Sequence, residues 1–207
     1  MSTAILPLLA VLAGYLLGAI PFGVVVCRPL GKDPRRVGSG RTGGTNVYRT
    51  AGAVPAILTV LGDGLKGAAA VWLAIWLVPG AQQPLIVALA ALAAILGHNY
   101  SVYVGFAGGA GSSPNIGAFL ALSPNPLWFL GAAVIGGLVW KLGRMASVAS
   151  LSLSAVLLLS VLWFVYSGQR SPALLVYGVG QLGLVAWALR PNIKRLLAGG
   201  EIRVDSR

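Results

Sequence analysis

Ala4-Ile5-Leu6-Pro7-Leu8-Leu9-Ala10-Val11-Leu12-Ala13-Gly14-Tyr15-Leu16-Leu17-Gly18-Ala19-Ile20-Pro21-Phe22-Gly23-Val24-Val25-Val26 contains no charged residue. A run of this length crosses the hydrocarbon core of a bilayer as a helix. It is too long for the apolar region of a cleaved signal, and Met1-Ser2-Thr3 puts no positive charge before it. Val24-Val25-Val26-Cys27 lacks the small residues of a lipoprotein cleavage site. The segment therefore reads as a retained first membrane helix.

The rest of the 207-residue chain repeats the theme, with 57% hydrophobic and 9% charged residues. That composition belongs to an integral membrane protein. Seven apolar runs can be drawn, at 4–26, 53–78, 84–104, 113–123, 126–140, 146–166 and 173–189. Ser123-Pro124-Asn125-Pro126 reads as a tight turn between the fourth and fifth. The expectation is an all-α integral membrane protein, a seven-transmembrane-helix bundle. Residues 1–207 form one polytopic domain, and 190–207 form a basic tail.

Charge sets the orientation. Arg28, Lys32, Arg35, Arg36, Arg41 and Arg49 follow the first run, Lys141 and Arg144 the fifth, and Arg190, Lys194, Arg195, Arg203 and Arg207 the seventh. The alternate loops hold only Arg170. The positive-inside rule then puts the N-terminus outside and the C-terminus in the cytoplasm of a bacterial inner membrane. It also accounts for a net charge of +11 without a nucleic-acid partner. The lone Cys27 forms no internal disulfide.

On the cytoplasmic side of this topology lies Gly38-Ser39-Gly40-Arg41-Thr42-Gly43-Gly44-Thr45-Asn46. Glycines let backbone N–H groups converge on a small anion, and Ser and Thr hydroxyls add donors. Arg35, Arg36, Arg41 and Arg49 add charge, so the expected guest carries phosphate at the membrane surface. Gly108-Gly109-Ala110-Gly111-Ser112-Ser113 is a second glycine-rich turn on the same side, either an anion nest or a plain connection. Ser147 and Ser150 open the sixth run, where serines also serve packing.

Asp63 and Lys66, at i and i+3, share a helix face inside the second run. They read either as a structural ion pair or, through Lys66, as a cationic wall of a phosphate pocket. His98 is the only histidine and has no Asp or Cys near it in sequence. Four carboxylates in the whole chain give no basis for a metal site or for carboxylate-pair chemistry.

Taken together, these segments resemble the bacterial acyl-phosphate:glycerol-3-phosphate acyltransferases, the PlsY family. The resemblance is carried in order by Ala19-Ile20-Pro21-Phe22-Gly23, Gly31-Lys32-Asp33, Gly38-Ser39-Gly40, Thr45-Asn46-Val47-Tyr48-Arg49, Asp63-Gly64-Leu65-Lys66-Gly67, Gly97-His98-Asn99, Phe106 with Gly108-Gly109, Ser147-Val148-Ala149-Ser150 and Asn192-Ile193-Lys194-Arg195-Leu196-Leu197 with Gly200-Glu201. It implies seven helices with active-site loops on the cytoplasmic face. It also implies transfer of a fatty acyl group from acyl phosphate to the 1-hydroxyl of glycerol 3-phosphate, giving lysophosphatidic acid and phosphate with no metal or nucleotide cofactor.

Carried over by position, Ser39, Arg49 and Asn192 would be the catalytic groups. Gly38, Gly40, Arg41, Thr45, Asn46, Lys66, His98, Gly108, Gly109, Ser112, Ser147 and Arg190 would bind substrate, with membrane lipids as the surroundings. The chain departs from the family at two expected site groups. Ala110 stands where the family's second loop has Lys, and Leu189 where it has His before Arg190. Arg41 adds a positive charge to the first loop, but the expectation is that it does not replace a His at the other end of the chain. Two other readings follow: a catalytically impaired member that binds phospholipid precursors, and a small transporter of phosphorylated metabolites.

Overall fold

In this computed structural model, residues 5–125 and 144–201 are described, with 127, 128, 130, 131, 134, 138 and 141 between them. The helices are α1 (Ile5–Ala19), α2 (Phe22–Cys27), α3 (Gly44–Ala51), α4 (Ala53–Leu77), α5 (Gln83–Asn99), α6 (Ser112–Leu122), α7 (Ala146–Tyr166), α8 (Leu174–Ala188) and α9 (Arg190–Leu197). Short 3-10 turns cover Arg28–Leu30, Pro34–Arg36 and Val102–Val104.

Among the described residues, four segments are long and apolar enough to cross a membrane: Ile5–Leu30, Ala53–Leu77, Gln83–Val104 and Ala146–Tyr166. Leu174–Ala188 with Arg190–Leu197 makes a fifth only as one span bent by 65°. Seven spans are not all counted among the described residues, for two reasons. The expected fourth run is α6, whose 11 residues rise about 16 Å, half the thickness of a hydrocarbon core. The expected fifth, 126–140, lies largely outside the described residues.

The bundle is apolar on its outside. Along α4, Val54, Ile57, Leu61, Leu65, Trp72 and Trp76 point outward, Trp76 being 78% exposed. The opposite face buries Thr59, Asp63 and Lys66. A water-soluble helix has the reverse arrangement, whereas a lipid-facing one keeps its polar groups inside. Helix contacts are made by small residues. The core is rich in alanine, with Ala70, Ala74, Ala88, Ala90, Ala91, Ala94 and Ala118 buried. In α1, Gly18 lies so close to α5 that a Cβ there would fall 2.1 Å from the Ala94 carbonyl oxygen. Without a hydrophobic drive between helices in lipid, such backbone proximity is what allows dispersion contacts to form.

Buried polar groups are paired across helices. The Asn115 amide of α6 donates to Gln181 Oε1 of α8 at 2.6 Å, and Tyr177 donates to Asn115 Oδ1 at 2.6 Å. Gln181 in turn donates to the Ser154 carbonyl of α7 at 2.8 Å. A second cluster joins α1, α4 and α5. Pro21 has no N–H to continue α1, which ends at Ala19. The Lys66 ammonium sits at that end and donates to the Ile20 carbonyl at 2.7 Å. There a cation also complements the helix dipole. Lys66 is held 2.6 Å from Asp63 Oδ1, and His98 Nδ1 of α5 lies 3.4 Å from the same oxygen.

Replacing Lys66 by Met would leave the Asp63 carboxylate buried beside His98 without its lysine partner. The expected loss of stability is about 3–5 kcal/mol. The double replacement Asp63→Leu with Lys66→Met is expected to recover most of it, because the lone charge is then gone. Thermal unfolding of the variants in detergent measures both; a double variant no more stable than Lys66→Met would refute the pairing as the cause.

Candidate active site

The first loop is curled around one side chain. Asp33 accepts the Arg35 N–H at 3.0 Å and starts the turn Pro34–Arg36. Asn46, in the first turn of α3, donates through Nδ2 to the carbonyls of Pro34 (2.6 Å), Val37 (3.0 Å) and Arg41 (2.8 Å). Its Oδ1 accepts the Ser39 N–H at 3.1 Å. Gly38 and Gly40 take φ of +55° and +68°, which side-chain-bearing residues seldom adopt. The loop geometry therefore rests on Asn46 and on backbone, and Ser39, Arg41, Thr45 and Arg49 are displayed from that frame.

These groups line a pocket of about 140 Å³. The rest of its wall comes from Gly43, Gly44, Val60 of α4, His98 of α5, Ala110 to Ser113, Ala146, Ser147 and Ser150 of α7, Leu189, Asn192 of α9, and Glu201. Residues far apart in the chain meet here because several helix ends converge. Ser112 Oγ donates to Ser150 Oγ at 2.7 Å, tying the second glycine-rich turn to α7.

Of the residues expected from sequence, Ser39, Arg41, Thr45, Asn46, Arg49, His98, Ser112, Ser147 and Asn192 line this pocket. Gly38, Gly40, Lys66, Gly108, Gly109 and Arg190 do not. The Lys66 ammonium is engaged by Asp63 and Ile20, the ion-pair alternative rather than the pocket wall. Gly108 and Gly109 pack on the end of α5; a Cβ on Gly109 would fall 2.0 Å from His98 Nε2. Arg190 stacks its guanidinium 4.5 Å over the Trp187 ring and donates to the Trp187 carbonyl at 3.1 Å. Such a pair suits a membrane surface.

Arg41 goes where sequence did not put it. Its Nη2 donates at 2.7 Å to the Ala188 carbonyl, one residue from Leu189. The first loop thus delivers a cation to the C-terminal side of the pocket, where the expectation was of a charge added to the first loop. Burial, and to a lesser extent Arg195, lower its basicity; Glu201 and Tyr100 oppose them. A guanidinium stays protonated under such shifts.

Glu201 was missed as a site residue. Gly199, at φ +74°, turns the chain back after α9, and Gly200 N–H closes on the Arg195 carbonyl at 2.8 Å. The Glu201 carboxylate, 2% exposed, then reaches the pocket. It accepts from Ser147 Oγ at 2.6 Å, Asn192 Nδ2 at 2.7 Å and Arg195 Nε at 3.2 Å. Burial alone would raise its pKa, but the hydrogen bonds from Asn192 and Ser147 and the Arg195 guanidinium outweigh burial and hold it below the usual carboxylate range. Its signal in the sequence was Gly200-Glu201, the last element of the family resemblance, which was given no site role.

The comparisons decide the family. A family model described as glycerol-3-phosphate acyltransferase matches residues 8–199. The chain belongs to the glycerol-3-phosphate acyltransferase family. It is 43% identical to the glycerol-3-phosphate acyltransferase of Anaeromyxobacter sp. (strain Fw109-5), covering 99% of each chain. It is 44% identical to that of Synechococcus sp. (strain JA-3-3Ab), covering 97% of this chain and 94% of the relative. The crystal structure of PlsY (YgiH), an integral membrane glycerol 3-phosphate acyltransferase, in its glycerol 3-phosphate form superposes with a TM-score of 0.83. Identity there is 32%, over 95% of this chain and 94% of that one. The lysophosphatidic acid form of the same protein gives 0.82 at 31% identity. An all-helical bundle with an apolar exterior and this relationship is an integral membrane protein.

The depressed Glu201 pKa has a signed consequence. Below the ordinary glutamate value of about 4.3 the unfolded chain takes up a proton that the folded chain still excludes, so stability falls as pH falls. The stability gap between wild type and Glu201→Gln is expected to be constant from pH 7 to about 5 and to shrink below about 4.3. Melting temperatures across that range measure it. A gap that widens on acidification would show that the carboxylate is not the group held.

Proposed function

We propose that this protein transfers a fatty acyl group from an acyl phosphate to the 1-hydroxyl of glycerol 3-phosphate at the cytoplasmic face of a bacterial inner membrane. The hydroxyl oxygen forms a bond to the acyl carbon, the bond from that carbon to the phosphate oxygen breaks, and phosphate leaves with the electron pair. The proton lost by the hydroxyl balances as hydrogen phosphate. The donor is already activated, so the protein's work is orientation and stabilisation of charge.

The observation that carries this reading is the gathering of Arg41, Arg49, Ser39 and Thr45 with Ser147 and Asn192 in one pocket. Arginine forks suit phosphate oxygens. Ser147 and Asn192 offer neutral groups for a polyol. On this reading Ser39, Arg49 and Asn192 touch the reacting groups. The membrane arrangement that goes with it has seven spans, the N-terminus outside and the C-terminus and both glycine-rich turns in the cytoplasm. It rests on the bias of basic residues toward alternate loops.

One observation favours a second reading. Ala110 and Leu189, where the resemblance implies Lys and His, both line the pocket. A protein that binds glycerol 3-phosphate and turns it over poorly would fit their apolar character. Against that stands Arg41, with its guanidinium at the Ala188 carbonyl beside Leu189.

The deciding experiment is lysophosphatidic acid formation by purified protein given palmitoyl phosphate and glycerol 3-phosphate. Wild type is expected to form product, and Arg49→Ala and Arg41→Ala each to cut kcat/KM by roughly a hundredfold, the usual scale for losing a charged contact to phosphate. Folded wild-type protein that binds glycerol 3-phosphate without forming product would replace the first reading by the second.

A further inference from the structure

An ionised carboxylate accepts hydrogen bonds and donates none. Every group that faces one must therefore turn a proton toward it. Ser147 has a single hydroxyl proton, and it is directed to Glu201 Oε1 at 2.6 Å. The Asn192 amide points its Nδ2 at the same oxygen at 2.7 Å, which sends its Oδ1 the other way. Asn192 is 8% exposed, and its Oδ1 is buried with no hydrogen-bond donor among the described residues. Arg195 holds the second carboxylate oxygen, so the carboxylate itself is fixed.

Ser147 and Asn192 both line the pocket. With its one proton turned to Glu201, Ser147 has only lone pairs left for a ligand, whereas the Asn192 amide keeps a second N–H. Lone pairs repel phosphate oxygens and attract O–H donors. Arg41 and Arg49 in the same pocket offer only N–H donors. The site therefore has an accepting part and a donating part. We propose that Glu201 is a positioning residue which, by holding the one proton of Ser147, makes that part of the pocket a hydrogen-bond acceptor for a hydroxyl group of a phosphorylated polyol. The phosphate of that ligand goes to the arginines. This rests on the acyltransferase reading only for the choice of glycerol 3-phosphate as the ligand.

The test compares binding of glycerol 3-phosphate and of inorganic phosphate by titration calorimetry on the full-length protein in detergent, alongside turnover. Glu201→Gln replaces an acceptor by a group that also donates. It is expected to weaken glycerol 3-phosphate binding at least tenfold, with phosphate binding changed less than twofold. In turnover, KM for glycerol 3-phosphate rises while KM for palmitoyl phosphate holds. Glu201→Asp keeps charge and polarity and is expected to retain the preference for glycerol 3-phosphate over phosphate. Equal losses for both ligands in Glu201→Gln, or no loss, would overturn the assignment while leaving acyl transfer standing. Should Glu201→Gln not fold, Ser147→Ala takes its place; a loss confined to glycerol 3-phosphate supports the accepting part, and an equal loss of phosphate overturns it. Wild-type protein that binds no glycerol 3-phosphate overturns both this inference and the acyltransferase reading.

Discussion

A buried carboxylate in an apolar bundle constrains everything packed against it. Asp63 lies in the middle of α4, 1% exposed, where an unpaired charge would be prohibitively costly. Lys66 and His98 both approach its Oδ1. Lys66 also closes the broken end of α1 at Ile20, so one cluster sets α1, α4 and α5 relative to each other. The opposite edge of the His98 ring lies against Gly109, and His98 itself forms part of the pocket wall. Helix register in the interior is thereby transmitted to the second glycine-rich turn.

The pocket is built from chain ends held by short polar contacts. Asn46 organises the first loop, the Ser112–Ser150 bond joins the second turn to α7, and Glu201 joins α7 to α9. Each contact uses a side chain to hold backbone or another side chain, leaving charged groups such as Arg41 and Arg49 directed at the enclosed space. Preorganisation of this kind lowers the cost of ordering the site around a ligand.

Much of this was legible in sequence where the signal is a sum over many residues. Hydrophobicity over 20 positions identified α4, α5 and α7, and the glycine-rich loop with its arginines pointed to the place where the pocket lies. What was not legible depended on direction. Nothing local says whether Lys66 turns toward the pocket or toward the end of α1. The run 113–123 matches α6 in length, but apolarity does not say how an 11-residue helix sits in a bilayer. Glu201 becomes a pocket residue because Gly199 reverses the chain toward Asn192 and Arg195 and because Ser147, 54 residues away, meets it there, and that last contact is in no window of sequence.

The reach of Arg41 to Ala188 bears on how divergence in such a protein should be judged. Positive charge in this pocket belongs to a location in space that several chain segments can supply. A comparison position by position would weigh Leu189 on its own. It cannot register a guanidinium arriving beside it from 147 residues before Ala188. Substitutions that look like decay along the chain can therefore be relocation within the fold, and neighbours in three dimensions are the proper unit for deciding which it is.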